Sequence, residues 1–470
     1  MIKTPFLLGA SLIGLSLTTA TAQAQAPAVS QTELADEVAR LRAEVDELKA
    51  EIRAMRPQPA TTATTTPPPS ARPTPAVPVQ VASAKPAPAR EADATLIKWK
   101  GAPVFTAPGG WSFKPRGRMQ FDAGYLAGPA SRQGGISDGR GLTTELRRAF
   151  IGAQGTIPGG FTYRAEVDLA ANSVEWTDLF LTWEKGPVSV TVGQHHNFQS
   201  LDRLTSDLYT SFTERAAFND AFNYERRVGI SAGLKTGDVI ANAGVFTDDI
   251  SALGADGNKN FSVDGRLVWM PRWGRTQLHL AGSGHWRSIG SLQEVTGTQY
   301  RQRPYIHSTD IRYIDTGLVS VDSEFGYGLE AALIRGRFHF ASEAAWLNAR
   351  LPQNADATFF GGYAEIGYFL TRGDTRGYKN GIWDRTSPAH PVDQGGIGAI
   401  QLNARYDHLD LTDSFLAGGT QDAYGVSMIW IPLSYVRFTA NYFHLIYDEA
   451  AIGPSHFDAD SVALRAQLDF

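Results

Sequence analysis

The sequence SVALRAQLDF, residues 461–470, alternates between apolar and polar side chains without a break. On one side of an extended strand it would place Val462, Leu464, Ala466, Leu468 and Phe470. On the other side it would place Ser461, Ala463, Arg465, Gln467 and Asp469. Because successive side chains of a strand point to opposite faces, this pattern predicts one face in an apolar medium and one in water. A strand that stays apolar up to an aromatic last residue is typical of a transmembrane β-barrel, whose outer face contacts lipid between aromatic girdles.

The first 24 residues have the pattern of a secretory signal peptide. Lys3 supplies a positive charge, residues 5–17 form an apolar run, and Ala22-Gln23-Ala24 gives a cleavage site of the small-x-small type. We therefore expect cleavage after Ala24 and export of the mature chain. The chain has no cysteine, so an exported protein of this length must gain its stability without disulfides, as a closed barrel can.

The composition excludes one class of membrane protein and allows another. No segment has the roughly 18 consecutive apolar residues that a membrane-spanning helix needs. Mean hydropathy is −0.21, which suits a barrel that keeps half of its side chains in water. Residues 101–470 carry 32 Lys and Arg against 39 Asp and Glu. This excess of acid argues against a uniformly positive pore, although it does not exclude a local basic constriction.

Two segments between the signal peptide and the barrel have simple patterns. Residues 31–56 predict a coiled coil of about three heptads. Its a positions are Val38, Val45 and Ile52, and its d positions are Leu34, Leu41, Leu48 and Met55. β-Branched residues at a with Leu at d favour two strands, an assembled partner could impose three, and a single solvated helix stays an alternative. Residues 57–94, rich in Pro, Ala and Thr, predict an extended linker.

From residue 95 to residue 470 the chain consists of short alternating runs separated by turns. Met119, Phe121, Ala123 and Tyr125 alternate with polar residues and glycine, and a Gly186-Pro187 turn separates two further alternating runs. At roughly 20–24 residues per strand and connection, this length gives about 16 to 18 antiparallel strands. The fold class predicted is all-β, a transmembrane antiparallel barrel of about 16 strands. Soluble β-sandwiches would explain the alternation but not the apolar terminal strand.

Several stretches, in the correct order, resemble the phosphate- and polyphosphate-selective outer-membrane porins, the O/P porin family. They are residues 113–120, 146–151, 204–206 with 214–215, 368–378, 398–406 and 463–470. The resemblance implies a homotrimer of 16-stranded barrels, each with its own pore, among the lipids of the outer membrane of a Gram-negative bacterium. It also implies that Phe470 is the signal read by the barrel-assembly machinery. The N-terminal segment lies outside the resemblance, and with the barrel in the outer membrane we expect that segment in the periplasm.

The resemblance further implies an anion path and a constriction loop. The positions that align with the pore arginines of the family are Arg118, Arg147, Arg148, Arg215, Arg301 and Arg303. The loop motif corresponds to Leu204, Thr205, Ser206 and Glu214. Two positions that carry lysines in phosphate-selective members are Thr162 and Leu208 here. Guanidinium groups suit oxyanions, although the arginines could instead pair with the lumen acids Glu145, Glu166, Asp168 and Asp178.

We therefore expect a porin for passive diffusion of small hydrophilic solutes, biased towards anions such as phosphate or polyphosphate. Two other functions remain open from the sequence. One is an envelope tether that uses the barrel as its anchor and the coiled coil to bind peptidoglycan or another periplasmic partner. The other is a carbohydrate channel, which would need stacked aromatic residues along its lumen. We expect no enzyme activity, catalytic residue, metal, cofactor or nucleic acid, since no such motif occurs.

Overall fold

A computed structural model of the protein describes residues 96–129, 139–170, 174–254, 259–290, 297–352, 355–413 and 416–470. The predicted signal peptide, coiled coil and linker, residues 1–24, 31–56 and 57–94, lie outside the described residues. Where helix is described, as in Leu201–Leu204 and Ala217–Ala221, it is short. No helix among the described residues is long and apolar enough to cross a membrane.

The described residues contain 23 strands in chain order. They are β1 Leu96–Lys100, β2 Ala102–Ala107, β3 Trp111–Ala127, β4 Gly141–Ile157, β5 Phe161–Asp168, β6 Glu175–Lys185, β7 Val188–His196, β8 Arg226–Thr236, β9 Val239–Phe246, β10 Phe261–Trp269, β11 Arg272–Trp273, β12 Thr276–Ser288, β13 Thr298–Gln302, β14 Ile314–Val319, β15 Ser323–Arg335, β16 Phe338–Leu351, β17 Ala355–Phe369, β18 Gly377–Lys379, β19 Ile382–Asp384, β20 Ala399–Asp413, β21 Leu416–Leu433, β22 Val436–Asp448 and β23 His456–Asp469.

Sixteen of these strands close into one antiparallel barrel, which confirms the predicted fold class. The barrel strands are β3 to β10, β12, β15 to β17 and β20 to β23. The barrel closes where β23 pairs with β3, with Asp469 opposite Arg118 and Asp460 opposite Ala127. Closure leaves no free edge in the wall, so every strand finds a hydrogen-bonding partner within the membrane. This result excludes the β-sandwich alternative.

The alternation of residues 461–470 follows the two faces of β23. Val462 and Leu464 are 40% and 51% exposed on the outer wall, whereas Arg465 and Gln467 are 4% and 6% exposed on the inner face. The inner side chains are buried because loops fold into the lumen and cover them. The period-two pattern therefore has the predicted cause, an apolar exterior and a polar interior.

Connections differ in length at the two ends of the barrel. At one end most turns are short, as at residues 158–160, 186–187, 237–238, 336–337 and 434–435. Outer-membrane barrels have their short turns on the periplasmic side and their long loops outside, so we call this end the periplasmic end. One connection there, residues 370–398, is long. The β1–β2 hairpin lies at the same end, where Ala107 pairs with Trp111 of β3.

Gly117 provides a prediction about barrel closure. Its amide donates to the carbonyl of Phe470 at 3.2 Å and its carbonyl accepts from the Phe470 amide at 2.9 Å. A Cβ atom at Gly117 would lie 2.1 Å from the Phe470 ring, so Gly117→Ala must displace that ring from the seam. We expect a loss of roughly 1–3 kcal/mol in barrel stability. It is measured as a lower temperature at which the SDS-resistant, folded form of the barrel disappears from a gel.

Gly265→Ala is the matched control, because a Cβ atom there makes only an ordinary contact of 3.5 Å. Equal unfolding temperatures for the two variants would show that Phe470 can leave the seam without cost.

Candidate functional site

Three segments fold from the barrel wall into the lumen. The constriction loop, residues 197–225, connects β7 to β8, and the outer loop, described over residues 289–290 and 297–322, connects β12 to β15. Both start at the end with long connections. The inner segment, residues 370–398, connects β17 to β20 and starts at the periplasmic end. A 16-stranded barrel is wide enough for an aqueous channel, so these segments set the size of the passage that remains.

The start of the constriction loop is bound to a carboxylate of the wall. The backbone amides of Leu201 and Asp202 donate to the two carboxylate oxygens of Glu343 at 2.9 and 2.8 Å. The Asp202 carboxylate in turn accepts from the amide of Ala216 at 2.8 Å, later in the same loop. Because the first amides of a helix lack partners within it, Glu343 holds the start of the short helix Leu201–Leu204 in place. Asp202 in turn holds the residue that precedes the short helix Ala217–Ala221.

The middle of the constriction loop is bound to the last two strands. The carbonyl of Leu208 accepts from Arg437 at 3.0 Å and from Gln467 at 3.2 Å. The carbonyl of Thr213 accepts from Arg465 at 2.7 Å. Buried backbone groups of a loop need such partners, and here side chains of β22 and β23 supply them. The loop is therefore a fixed wall of the passage, attached across the lumen from the strand where it begins.

The inner segment contacts both the wall and the constriction loop. Arg266 of β10 donates to the carbonyl of Gly381 at 3.0 Å. The amide of Trp383 donates to the Thr205 hydroxyl of the constriction loop at 3.2 Å. These contacts close the part of the lumen beside β10 and leave the open space on the side of β3 to β8.

The open space is a cavity of about 800 Å³ between the constriction loop, the inner segment and this wall. Among the described residues its charged lining is eight arginines, one lysine and five carboxylates. These are Arg116, Arg118, Arg147, Arg148, Arg164, Arg203, Arg215, Arg226, Lys379, Glu175, Asp178, Asp207, Glu225 and Asp384. The passage is thus richer in base than in acid, the reverse of residues 101–470 as a whole.

A β-bulge brings two adjacent arginines to the same face. On a regular strand Arg147 and Arg148 would point to opposite sides of the wall. In the pairing of β3 with β4, Gln120 is opposite Arg148 and Phe121 is opposite Leu146, so that Arg147 is an extra residue. Bulges redirect side chains in this way, and both arginines line the cavity.

Two carboxylates of the constriction loop pair with these wall arginines. Asp207 contacts Arg118 and lies 2.8 Å from Arg148, and Glu214 lies 3.6 Å from Arg147. Burial alone would raise the pKa of Asp207, but Arg118 and Arg148 hold it well below its usual value. The pKa of Glu214 is likewise lowered: burial raises it, but Arg147 and Arg465 with the neighbouring positive charges together outweigh that effect. Both carboxylates therefore stay ionised and neutralise part of the positive charge.

Further ion pairs brace the wall itself. Glu166 lies 3.1 Å from Arg116, and Asp178 lies 3.1 Å from Arg164 and 2.7 Å from Arg226. These contacts are the arrangement that the sequence left open as an alternative to an anion path. They account for part of the arginine lining, so the passage has the mixed charge of two facing walls.

Two arginines of the constriction loop are less closely paired with carboxylates. Arg215 donates to the carbonyls of Asp202 at 3.1 Å and Thr205 at 2.8 Å, which carry no net charge. Arg203 is 4.0 Å from Asp220. Burial and the charge of Arg215 lower the pKa of Arg203 to about 10, which leaves it protonated at neutral pH. The constriction loop thus contributes positive charge to the passage.

A smaller cavity of about 300 Å³ lies on the outer side of the larger one. Its charged lining among the described residues is Arg147, Arg203, Arg301, Arg303, Arg312, Asp220 and Glu225. Arg147, Arg203 and Glu225 line both cavities, so the two adjoin and together form the passage. Burial and the charges of Arg303 and Arg301 lower the pKa of Arg312 to about 10, as like charges gathered together do.

All six arginines predicted from the resemblance lie on this passage. Arg118, Arg147, Arg148 and Arg215 line the larger cavity, and Arg147, Arg301 and Arg303 line the smaller one. Of the predicted loop residues, Leu204 and Ser206 line the larger cavity, Thr205 is buried against Trp383, and Glu214 lies behind the lining beside Arg147. Their part in conduction stays a prediction.

Several lining residues were missed in the sequence. Arg116 and Arg164 could have been found, because each lies on the polar face of an alternating run. Arg226 of β8 pairs with Asp178 of β6 across the intervening strand β7, which the sequence does not reveal. Of the two positions without the family lysines, Leu208 lines the larger cavity, and Thr162 lies on β5 outside that lining.

A closed 16-stranded barrel narrowed by inward loops around a charged passage has the architecture of a porin. The chain belongs to the phosphate-selective porin O and P family, whose sequence profile matches residues 113–470. An uncharacterized protein of Caulobacter vibrioides is 45% identical over 468 residues, which cover 97% of this chain and 94% of that protein. The protein is therefore a channel of the Gram-negative outer membrane rather than an enzyme.

Solved structures share this fold at low sequence identity. The anion-selective porin from Comamonas acidovorans matches with a TM-score of 0.50 and 10% identity, over 77% of this chain and all of that one. The outer membrane channel DcaP of Acinetobacter baumannii matches with a TM-score of 0.47 and 12% identity, over 78% of this chain and 99% of that one. At such identities the likeness concerns the fold alone.

Proposed function

We propose that this porin passes small inorganic oxyanions, phosphate and polyphosphate among them, by passive diffusion. The observation that carries the proposal is the passage, in which eleven arginines and one lysine face six carboxylates among the described lining residues. The rest of the barrel is acidic, so this excess of base is local to the passage. Low-dielectric walls focus such a field and raise the local concentration of counter-ions.

An anion would meet several weak sites in series. Arg301, Arg303 and Arg312 attract it at the outer cavity, Arg147 and Arg203 stand where the two cavities join, and the bulged wall follows. Guanidinium stays charged when it is partly desolvated and presents a planar fork to oxyanions. Conduction needs binding that is favourable enough for entry and weak enough for release. The carboxylates Asp207 and Asp178 weaken the sites in this way.

The lining also supports a broad preference rather than tight phosphate binding. The aligned lysine positions are Thr162 and Leu208, and among the described lining residues the lysine present is Lys379 of the inner segment. Without a group of lysines at one level, no site in the passage combines several compact, strongly hydrated charges. We therefore propose that chloride and phosphate both pass.

Planar-bilayer recordings of the purified full-length porin test this function. In a KCl gradient the zero-current potential should have the sign of an anion-selective channel, and millimolar phosphate should reduce the chloride current by competing for the same arginines. A cation-selective potential would overturn the proposal. Absence of any phosphate effect would restrict the protein to general anion diffusion.

We further propose that three copies assemble, with residues 31–56 as a periplasmic coiled coil on the linker of residues 57–94. The family resemblance supports three copies, and an assembled trimer could impose a three-stranded coiled coil on a heptad pattern that by itself favours two strands. The β1–β2 hairpin supports the placement of the segment, because it lies at the periplasmic end where the chain enters the barrel. The same recordings test assembly, since a trimer gives channels that insert together and close in three equal steps. Channels that always insert and close one at a time would contradict a trimer.

A further inference from the structure

Three neighbouring connections at the periplasmic end carry a concentration of arginine. They join β10 to β12, β15 to β16, and β17 to β20, the last of these being the start of the inner segment. Arg272, Arg275, Arg337 and Arg372 line a cavity of about 580 Å³ between them, which we call the rim cluster. No arginine occurs in the other short turns, residues 158–160, 186–187, 237–238 and 434–435. Among these short connections, arginine is therefore confined to one sector of the rim.

The charge of the rim cluster is not neutralised within the part of the chain that the structure describes. The carboxylate in its lining, Asp374, is buried and accepts hydrogen bonds from the Thr371 hydroxyl and, at 2.7 Å, from the amide of Ala389. Arg337 donates to the carbonyl of Leu370 at 3.3 Å, which carries no net charge. None of the four arginines forms an ion pair with a described residue, so the cluster is a site for an anion from outside the chain.

The depth of the rim cluster corresponds to the edge of the membrane. The Arg337 guanidinium lies 4.8 Å from the centre of the Tyr368 ring, on the outer wall. Tyr368 belongs to a set of exposed aromatic residues at this end, with Trp269, Trp273 and Phe338. Such aromatic residues mark the interface between lipid and water. The arginines therefore lie at the level of the lipid headgroups.

An apolar groove of about 610 Å³ runs along the outer wall of the same strands, β10, β12, β15 and β16. Leu267, Trp269, Leu280 and Leu329 are its large side chains, and Gly282 and Ala331 are small residues along it. Trp269 is the last residue before the turn that carries Arg272. From Ala331 to the end of β15 is four residues, roughly 13 Å, so groove and rim cluster are within the length of one lipid molecule.

We propose that this sector binds an anionic phospholipid of the periplasmic leaflet, with its phosphate on the rim cluster and an acyl chain in the groove. The planar fork of Arg matches phosphate oxygens, and basic residues next to a membrane attract anionic lipids. A cationic rim continuous with an apolar groove complements an amphiphile. A second copy of the chain or a peptidoglycan strand would use one of these features and leave the other exposed.

The test compares two triple variants of the full-length porin that lose the same charge. R272Q/R275Q/R337Q removes most of the rim cluster, and K98Q/K100Q/K185Q removes three exposed lysines elsewhere at the periplasmic end. Binding of phosphatidylglycerol and phosphatidylcholine is measured by native mass spectrometry. At roughly fivefold per arginine, the first variant should bind phosphatidylglycerol about a hundredfold more weakly. The lysine variant should bind both lipids as the native chain does.

Each other outcome overturns the proposal. Equal phosphatidylglycerol affinity in both variants would show that the rim cluster binds no lipid. Loss of binding to purified peptidoglycan sacculi with unchanged lipid affinity would assign the cluster to the cell wall. Ala331→Phe, which fills the groove, should weaken the binding of phospholipid but leave the binding of glycerol phosphate unchanged. If this variant changed the oligomeric mass of the porin, the groove would be an interface between copies of the chain. Unchanged conductance in all variants shows that the barrels are folded.

Discussion

The variant R147E/R203E is expected to reverse the zero-current potential in a KCl gradient, from the sign of an anion-selective channel to that of a cation-selective one. Arg147 and Arg203 line both cavities, so an ion on the proposed path passes close to both. Each substitution changes the local charge by two. It also removes Arg147 from Glu214, 3.6 Å away in the native chain, and Arg203 from Asp220, 4.0 Å away. Glu214 keeps its ion pair with Arg465 at 3.1 Å.

The size of this effect follows from the dimensions of the passage. At physiological ionic strength charges are screened over about 8 Å, and Arg147 lies only 3.6 Å from Glu214 of the constriction loop. An ion there cannot be screened from them. The neutral variant R147Q/R203Q should give an intermediate potential, which separates the effect of charge from that of side-chain shape.

K98E/K185E is the matched control, since it makes the same change in total charge at exposed positions outside the passage. It should leave the potential unchanged. If R147E/R203E kept the sign of the native channel, then the braced arginines of the wall, and not the junction, would determine selectivity.

The barrel could be predicted because its cause is local. Alternation with period two is present in each strand, and the residues of β23 follow it from Ser461 to Asp469. The aromatic residue Phe470 and the lack of cysteine support the same prediction of a transmembrane barrel. A one-residue shift in a strand would move every apolar side chain to the lumen, so the outer and inner faces of the wall are fixed by the sequence itself.

The passage could be predicted only in part, because its features are not local. Arg147 faces the lumen through a bulge whose position depends on the pairing of β4 with β3. Asp207 is one acidic loop residue among several in the sequence, and its contacts with Arg118 and Arg148 exist only after the loop has folded inward. The resemblance to a family supplied the six arginines that alternation could not assign to a face.

The inner segment is the largest feature that the sequence did not predict. Periplasmic connections of barrels are usually short. Residues 370–398 form a long connection instead, and it folds into the lumen. Its contacts are with residues far away in the chain, as when Arg376 donates to the carbonyl of Tyr209 at 2.5 Å. Sequence periodicity does not encode contacts of this kind.

Deletion of residues 373–397 is expected to raise the single-channel conductance roughly twofold or more, since a 16-stranded barrel is wide enough for an aqueous channel without them. The deletion is compatible with the pairing of the strands on either side of it. Phe369 of β17 is opposite Gln401 of β20, and the amide of Leu370 donates to the carbonyl of Ile400 at 2.8 Å. Thr371, Arg372 and Gly398 would then close a turn as short as the other periplasmic ones.

The point substitution Trp383→Ala is the control for a local disturbance. It removes the buried indole but keeps the amide that donates to Thr205, so the inner segment stays in the lumen and conductance should rise only slightly. An unchanged conductance in the deletion variant would place the segment outside the ion path. The fraction of each variant that resists denaturation by SDS shows whether its barrel has folded and closed.

Selectivity should fall in the deletion variant as conductance rises. The deletion removes Lys379 and Asp384 from the lining together, so the balance of charge in the passage does not change. What changes is width, because the side beside β10 fills with electrolyte and ions there are separated from the arginines of β3 and β4 by more than the screening length of about 8 Å. A larger conductance with undiminished anion preference would mean that every ion still passes close to those arginines. The constriction loop alone, held by Glu343 and Arg437, would then define the path.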